Sequence, residues 1–287
     1  MLDVHRLRLL RELAERGTIA AVAQALDYTP SAVSQQLATL EREAGRPLLE
    51  RTGRSVRLTE AGRVLVGHAD AILERLERAR ADLDALSTEV TGELRIGAFG
   101  SAMRTVVTPA LLRLSRDHPL LRVRVTEIDP ATAPEELRSR RLDVALLQRY
   151  DCLPARTDPS LDTEPLFDEA VHLAVHRDRP RTLADCAEER WISGTVGTMC
   201  DEATVRTCEN AGFTPRVRHR TDDFPAVLAL VAAGQGVAVI PDLAAVDVPA
   251  DVLLEPLEVV RHTALAYRRG AARDPLIGAA RRALRSR

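Results

Sequence analysis

The sequence contains no lysine, so all 40 of its basic residues are arginines. Because 42 acidic residues oppose them, the formal net charge is −2, and the chain as a whole gives no electrostatic argument for nucleic-acid binding. Aromatic residues make up only 3% of the chain, which argues against a stacking surface for single-stranded nucleic acids or RNA.

Cysteines and long apolar runs are also scarce. The four cysteines lie at irregular spacings without a CxxC pair, which is typical of reduced thiols in a cytoplasm; they are Cys152, Cys186, Cys200 and Cys208. The longest apolar run, Ala226–Ala233, is too short to span a bilayer, and the charged first residues lack the apolar core of a signal peptide. We therefore expect a cytoplasmic protein without a membrane segment.

Motifs for catalysis and metal binding are missing as well. His172 and His176 are four residues apart on a predicted strand and its exit, and no HExxH, GxSxG, P-loop or GxGxxG pattern occurs. We expect no metal, no cofactor and no enzymatic activity.

The chain does contain a helical first third. An apolar stripe that ends at Gly17 predicts a first helix, and Thr18 is a predicted N-cap for a second. Thr29 can cap a third helix, with Pro30 in its first turn and Gly45 at its end. Two short extended runs then flank Thr-Gly-Arg and predict a β-hairpin, or wing.

The second and third helices are joined by a short turn and followed by the wing, and together they predict a helix-turn-helix unit. Apolar residues share one side of the helix, which leaves a polar face for the major groove, where Gln and Ser can bond to base edges. We expect base contacts from Ser31, Ser34, Gln35 and Gln36. Thr29, Pro30 and Ser31 stand at the helix N-terminus, where backbone N–H groups can hold phosphate. The arginines expected to neutralise phosphates are Arg42, Arg51, Arg54 and Arg57. The alternative is an exposed polar helix that contacts nothing.

A long helix is predicted after Thr59, which can act as its N-cap. Its apolar residues recur at spacings of 4 and 3, which is a heptad pattern. The members of this seam are Leu65, Ala69, Ile72, Leu76, Ala79, Leu83 and Leu86. A lone helix could cover the seam with its own protein, but pairing with a second copy is the more natural use.

After Gly92 the pattern changes to an alternation of strands and helices that predicts a parallel sheet. A first series has strands over Glu93–Ala98, Arg122–Glu127 and Leu142–Leu147. A second series has strands over Ala170–Val175, Trp191–Ser193, Arg216–Arg220, Val237–Ile240 and His262–Tyr267. Helices are predicted over 104–116, 134–141, 201–211, 223–233 and 274–285. Two such α/β lobes would bind a small ligand between them, at strand ends and helix N-termini.

The segment "TIAAVAQALDYTPSAVSQQLATLEREAGRPLLERTGRSVRLTEAGRVLV" resembles the N-terminal domain of LysR-type transcriptional regulators. Weaker similarity continues through "GELRIGA", "LDVALL", "WISG", "AGF" and "LALVAAGQGVAVIPDLA". The resemblance implies an α/β fold class with a winged helix-turn-helix over 1–58 and a linker and dimerisation helix over 59–90. It also implies a two-lobed effector domain over 91–287 that is similar to type 2 periplasmic binding proteins. We place its lobe I at 91–163 with 268–287, and its lobe II at 164–267.

The resemblance also implies partners and site residues. Homodimers or homotetramers would bind double-stranded promoter DNA, with RNA polymerase as a candidate further partner and a small effector in the interlobe cleft. The family's ligand positions fall on Gly100, Ser101, Ala102, Gln148, Ser193, Thr195 and Thr198. Ser101 and Thr198 stand near predicted helix N-termini, which would suit a small anion such as a carboxylate; the alternative is ordinary helix capping.

This sequence departs from the family pattern in the recognition helix. Many members have proline where Ser31 stands and a basic residue where Gln35 stands, and Ala21 also replaces a position that is often basic. The family's base preferences therefore do not transfer to this chain.

Two cysteines raise an alternative function. Peroxide-sensing members of the family carry two cysteines in the region of Cys200 and Cys208. On one continuous helix, eight residues would separate them by about 12 Å, which is beyond disulfide reach. We expect both to fill the core, with a redox-responsive regulator as the alternative and a solute-binding protein or enzyme as a less favoured one.

Overall fold

The computed structural model describes residues 1–52, 55–87, 89–155, 157–179 and 182–285. It forms two compact units, one of Met1–Thr88 with Arg268–Asp274 and one of Glu89–Tyr267 with Pro275–Arg287. The stretch from 268 to 274 thus groups with the first unit, whereas the family resemblance implies that it lies in the effector domain. None of the helices in the described ranges combines the length and the apolar character that a bilayer span requires.

The first unit begins with three helices, α1 (Val4–Arg16), α2 (Ile19–Ala25) and α3 (Pro30–Ala44). The predicted caps are present, because the Thr18 side chain accepts from the N–H of Ala21 and that of Thr29 accepts from the N–H of Ala32, each at 3.2 Å. Gly45 has a φ of 66°, in the left-handed region that favours glycine, and it ends α3 as expected.

The core of this unit holds α3 by its apolar side. Val33, Leu37 and Leu40 are buried and pack with leucines of α1 and with Val22 of α2. Since the apolar side is fixed inward, the opposite face of α3 lies outward.

The predicted wing is formed by two antiparallel strands, β1 (Leu49–Thr52) and β2 (Ser55–Leu58). The turn residues Gly53 and Arg54 lie outside the described residues.

The long helix α4 (Glu60–Asp84) begins at Thr59, whose hydroxyl accepts from the N–H of Gly62 at 3.0 Å. A Cβ added to Gly62 would lie 2.3 Å from the carbonyl oxygen of Leu48. This close approach of α4 to the residue that precedes β1 requires glycine at position 62.

The heptad seam is only partly exposed. Ala69 is fully buried in the core of the first unit and Leu65 packs against the same core, because the first turns of α4 lie on α1. Leu86 lies beyond the end of the helix. The spacing alone predicts that all seven members form one contact surface on the helix. Leu65, Ala69 and Leu86 are not part of such a surface. The exposed row consists of Ile72, Leu76, Ala79 and Leu83.

Another face of α4 is covered by the segment Arg268–Asp274 of the same unit. The guanidinium Nε of Arg268 donates to Glu77 Oε1 at 2.9 Å, and Glu77 is buried. The linker helix α4 thus exposes one apolar row and, on another face, makes a polar contact with Arg268.

The second unit is α/β. Its strands are β3 (Gly92–Ala98), β4 (Leu121–Glu127), β5 (Val144–Tyr150), β6 (Leu161–His176), β7 (Arg190–Ser193), β8 (Arg216–Arg220), β9 (Val237–Pro241) and β10 (Val252–Arg268). Its helices are α5 (Gly100–Ala102), which runs through a π-helical stretch (Met103–Val107) into α6 (Thr108–Asp117), then α7 (Ala133–Arg138), α8 (Met199–Asn210), α9 (Phe224–Ala232) and α10 (Pro275–Arg285). Short 3₁₀ turns cover Ala184–Cys186 and Asp242–Ala244.

These strands form one sheet in the order β4-β3-β5-β10-β6-β9-β7-β8. Parallel pairs join β3 with β4 and β5 in one half, and β7 with β8 and β9 in the other. The two halves are the two lobes, and the long strands β6 and β10 cross between them.

The strands β6 and β10 differ from the sequence prediction in their length and in the lobe to which they belong. The sequence pattern predicts a loop over 148–163, but β5 continues to Tyr150 and β6 begins at Leu161. Arg261–Tyr267 of β10 pairs with β5, so this stretch lies in the first lobe rather than the second. Alternation along a strand shows which residues are buried, but pairing partners depend on distant sequence.

Candidate functional site

The exposed face of α3 carries three of the predicted base-contacting residues. Ser31, Ser34 and Gln35 are all exposed, and they lie within about 100° of one another around the helix axis. We call these three residues the recognition face. Thr29 and Pro30 are exposed at the helix start, where the hydroxyls of Thr29 and Ser31 lie 3.0 Å apart.

Gln36 does not belong to the recognition face. Its side-chain oxygen accepts from Nε of Arg6 in α1 at 2.9 Å, and the residue is half-buried. One residue along a helix turns the side chain by about 100°, which moves Gln36 away from Gln35 and toward α1. The expectation that Gln36 faces the groove is therefore wrong in this fold, and its contact holds α3 against α1.

The predicted phosphate-binding arginines lie on α3 and the wing. Arg42 is exposed near the end of α3, where its guanidinium donates to the Thr39 hydroxyl at 2.8 Å. Arg57 is exposed on β2. The backbone of Arg51 pairs with Val56, while the Arg51 side chain and all of Arg54 lie outside the described residues.

The second unit contains a cavity of ≈ 430 Å³, which we call the cleft. Its lining residues are Phe99, Gly100, Ser101, Glu127, Ile128, Asp129, Pro130, Gln148, Thr198, Met199, Cys200, Asp222, Phe224 and Arg261. Four of the expected effector positions are among them, namely Gly100, Ser101, Gln148 and Thr198.

The other three expected effector positions do not line the cleft. Ala102 is fully buried, and the Ser193 hydroxyl donates to Asp201 Oδ1 at 2.8 Å in the protein interior. Thr195 donates its N–H and its hydroxyl to Asp222, at 2.9 Å and 2.5 Å. The position of Ser193 and Thr195 in the sequence does not show that Asp201 and Asp222 bind their hydroxyls.

A buried arginine that was not predicted from the sequence forms part of the cleft wall. Arg261 of β10 is fully buried, and its Nε donates to Glu169 Oε1 at 2.8 Å. Its two Nη groups donate to Gln148 Oε1 at 3.0 Å and to Ser101 Oγ at 3.1 Å. The guanidinium also lies 5.0 Å from the ring centre of Phe99. A lone arginine within the largely apolar stretch of β10 was the available signal.

This network changes the role expected for Ser101. Its hydroxyl accepts from Arg261, and α5 shows no side-chain cap. Thr198, in contrast, does cap a helix, since its hydroxyl accepts from the N–H of Asp201 in α8.

Comparisons with known proteins identify the family. The family model "Bacterial regulatory helix-turn-helix protein, lysR family" matches residues 4–63, and the model "LysR substrate binding domain" matches residues 87–287. The chain belongs to the LysR family. It is therefore a bacterial DNA-binding transcriptional regulator with an effector-binding domain.

LysR relatives match over most of their length. The transcriptional dual regulator GltC of Bacillus subtilis is 27% identical over 249 residues, covering 84% of this chain and 81% of GltC. The nitrogen assimilation regulatory protein nac of Klebsiella aerogenes is 28% identical over 250 residues, covering 85% of this chain and 80% of that protein. These relatives are regulators rather than enzymes.

Solved LysR structures share the fold. A full-length OxyR variant from Pseudomonas aeruginosa gives a TM-score of 0.62 at 23% identity, covering 100% of this chain and 95% of that one. Full-length CbnR, solved in complex with its target DNA, gives 0.52 at 24% identity, covering 99% and 100%. Both likenesses support the architecture of a helix-turn-helix unit followed by two α/β lobes.

Cys200 and Cys208 lie on one helix, α8, in different surroundings. Cys200 lines the cleft, with its Sγ 3.6 Å from the Tyr150 hydroxyl and 3.7 Å from Gln148 Nε2. Cys208 is buried in a separate core beside Trp191. Burial raises the pKa of the Cys200 thiol, and burial together with Cys186 and Glu209 raises the pKa of Cys208 to about 12. Both thiols therefore carry their protons at neutral pH, which lowers their reactivity.

Among the described residues, no three His, Cys, Asp or Glu side chains gather in a way that could hold a metal ion. His172 Nε2 contacts Asp242 Oδ1 at 2.5 Å as a pair and not as part of a larger cluster.

Proposed function

We propose that this LysR protein recognises specific promoter sequences by placing α3 in the major groove of double-stranded DNA. The observation that carries the proposal is the recognition face, because three hydrogen-bonding side chains are exposed on a helix whose other side is anchored in the core. Side chains of this kind distinguish base pairs in the major groove. Arg42 and Arg57, with Arg51 and Arg54 of the wing, would neutralise phosphates on either side.

Neighbouring glutamines on α3 provide the test. Gln35→Ala should relax the preference at particular base pairs in a selection from genomic fragments, since it removes a group that faces the groove. Gln36→Ala is the matched control and should keep the wild-type preference, because Gln36 faces Arg6. An unchanged preference for Gln35→Ala, or an equal loss in both variants, would contradict the assignment.

The exposed row on α4 supports assembly with a second copy. Ile72, Leu76 and Leu83 have relative exposures of 37%, 48% and 69% on one side of the helix, together with Ala79. Exposed apolar rows of this kind mark interaction sites, and a heptad spacing suits a second helix. A homodimer would hold two recognition faces at a fixed separation along DNA, and two dimers would make the homotetramer that we propose as the working form.

The cleft is the proposed effector site. A small molecule that contacts both lobes would favour one degree of closure over another and so shift the equilibrium between regulatory states. We place its contacts at Gly100, Ser101, Gln148, Thr198 and Arg261. The protein would act without catalysis, in the cytoplasm, where it meets promoter DNA and RNA polymerase.

The redox alternative has less support. One helix separates Cys200 from Cys208, and the raised pKa values of both thiols oppose the thiolate chemistry that peroxide sensing requires.

A further inference from the structure

The carboxylates of the cleft are not balanced by cations. Glu127, Asp129 and Asp222 line the cavity, and among the described residues none of the three forms an ion pair. Asp129 accepts from the N–H of Ala131 at 2.7 Å, and Asp222 accepts from Thr195. Within the described part of the chain, the Glu127 carboxylate has no hydrogen-bond partner. The cleft wall therefore carries three carboxylates that form no ion pair with a described residue.

The one cation in the described wall does not offset them. Arg261 is paired with Glu169 at 2.8 Å, and their side chains are 0% and 3% exposed. Because a buried ion pair neutralises its own charge, Arg261 adds no free positive charge to the cleft. Among the charged side chains that line the cleft, the three carboxylates are thus the ones without an ion-pair partner in the described part of the chain.

Two of these carboxylates lie where the sequence predicted sites for an anion. A Cβ added to Gly100 would be 2.9 Å from Glu127 Oε1, so this carboxylate lies against the start of the helix that begins at α5. A Cβ added to Gly194 would be 2.8 Å from Asp222 Oδ1 and equally far from Thr198 Oγ1, at the start of α8. An anionic effector would meet like charge at both helix ends. The lining thus favours the opposite charge from the one that the sequence indicates.

We infer that the cleft binds a small organic cation, namely a primary amine on a short apolar body, with its ammonium group between Glu127, Asp129 and Asp222. An ammonium has three N–H donors and no acceptor, which matches a wall of carboxylate oxygens. The remaining wall suits the carbon chain, since it includes Ile128, Pro130, Met199 and Phe224. This inference rests on the proposed function of the cleft as the effector site.

The position of the carboxylates also gives the amine a regulatory effect. Glu127 and Asp129 lie at and just after the end of β4 in the first lobe, whereas Asp222 precedes α9 in the second. Closing the lobes brings like charges together, which costs free energy unless a cation lies between them. An amine would therefore stabilise the closed arrangement, whereas an uncharged ligand of the same shape would not remove this repulsion.

The test uses the full-length protein and a matched panel of linear primary amines and carboxylic acids of three to six carbons. Butylamine and butyrate are the central pair, because each has a chain of four carbons and the two differ in charge. At constant ionic strength, the thermal unfolding temperature followed by Trp191 fluorescence should rise with amines and not with acids. Calorimetric affinity for the best amine should fall about tenfold in Glu127→Gln and in Asp222→Asn, since each loses a charged hydrogen-bond acceptor.

Glu255→Gln is the matched control, because Glu255 is an exposed carboxylate of the second unit outside the cleft lining. It should leave the affinity for the amine unchanged. The inference is overturned if acids stabilise the protein more than amines, if no amine of the panel stabilises it, or if Glu127→Gln binds amines as tightly as Glu255→Gln. Binding to the selected promoter fragments is measured in parallel. If the wild type prefers particular DNA fragments but binds no amine, only the ligand class is refuted. If the wild type shows no preference among DNA fragments, the proposed function is refuted.

Discussion

Removing Arg261 should destabilise the second unit more than any exposed arginine can. In Arg261→Met, the carboxylate of Glu169 would stay buried beside an apolar side chain and would keep the hydrogen bond from the N–H of Leu243. Breaking a buried ion pair by deleting one partner typically costs about 3–5 kcal/mol. Gln148 and Ser101 also lose a donor, which adds to the cost.

The free energy of unfolding of this unit has a convenient probe. Trp191 is the only tryptophan of the chain, and it is fully buried in β7, so its fluorescence in a urea titration reports the second unit. Glu169→Gln keeps an oxygen that can accept from Leu243 and removes the charge. The double variant Arg261→Met with Glu169→Gln should therefore recover at least about 1–2 kcal/mol relative to Arg261→Met.

Arg116→Met is the control, because Arg116 pairs with Asp117 on the surface, at 74% and 51% exposure. Its unfolding curve should match that of the wild type, since exposed pairs contribute little. The reasoning is refuted if Arg261→Met costs less than about 1 kcal/mol, or if the double variant is no more stable than the single one.

Three further predictions concern other parts of the chain. Leu76→Glu should convert the assembly to a smaller species in sedimentation experiments, whereas Val64→Glu, on the same helix outside the apolar row, should not. Gly62→Ala should destabilise the first unit by about 1–3 kcal/mol because its Cβ would meet the Leu48 carbonyl, while Gly67→Ala, in open space on the same helix, should stabilise it by about 0.5–1 kcal/mol; thermal unfolding separates the two. Burial raises the pKa of Cys208 to about 12 in the folded state, so its contribution to stability is complete below the unfolded pKa of about 8.5 and is lost as the pH rises toward 12. Urea titrations at pH 8 and pH 10 should show a loss in the wild type that is about 1–2 kcal/mol smaller in Cys208→Ala, and identical losses would contradict the assignment.

The first unit was largely predictable because its signals are local. Thr18, Thr29 and Thr59 cap the helices that follow them, and Gly45 ends α3, as the sequence indicates. Each of these features depends on backbone groups within about four residues, so the neighbouring sequence is sufficient to predict it. The spacing of Val33, Leu37 and Leu40 likewise identified the buried side of α3.

Predictions failed where a residue's role depends on a distant partner. Gln35 and Gln36 are adjacent glutamines that the sequence does not distinguish. Gln36, however, accepts a hydrogen bond from Arg6, 30 residues earlier. The heptad spacing of Leu65 and Ala69 continues that of Leu76, yet these two residues pack on their own core. Periodicity identifies which side of a helix is apolar, and it contains no information on whether the same chain or another copy covers it.

The sequence by itself determined the family, the helix-turn-helix unit, the wing and the alternation of strands and helices, because short-range patterns specify all of these. Only the tertiary structure decided the chemistry of the cleft. It brings Arg261 to Glu169, 92 residues away, and to Ser101, 160 residues away, so that the cation is neutralised internally. Among the residues that the structure describes, it gives Glu127, Asp129 and Asp222 no such cation. The charge of a binding site is a sum over residues that meet only after folding, and no local pattern specifies that sum.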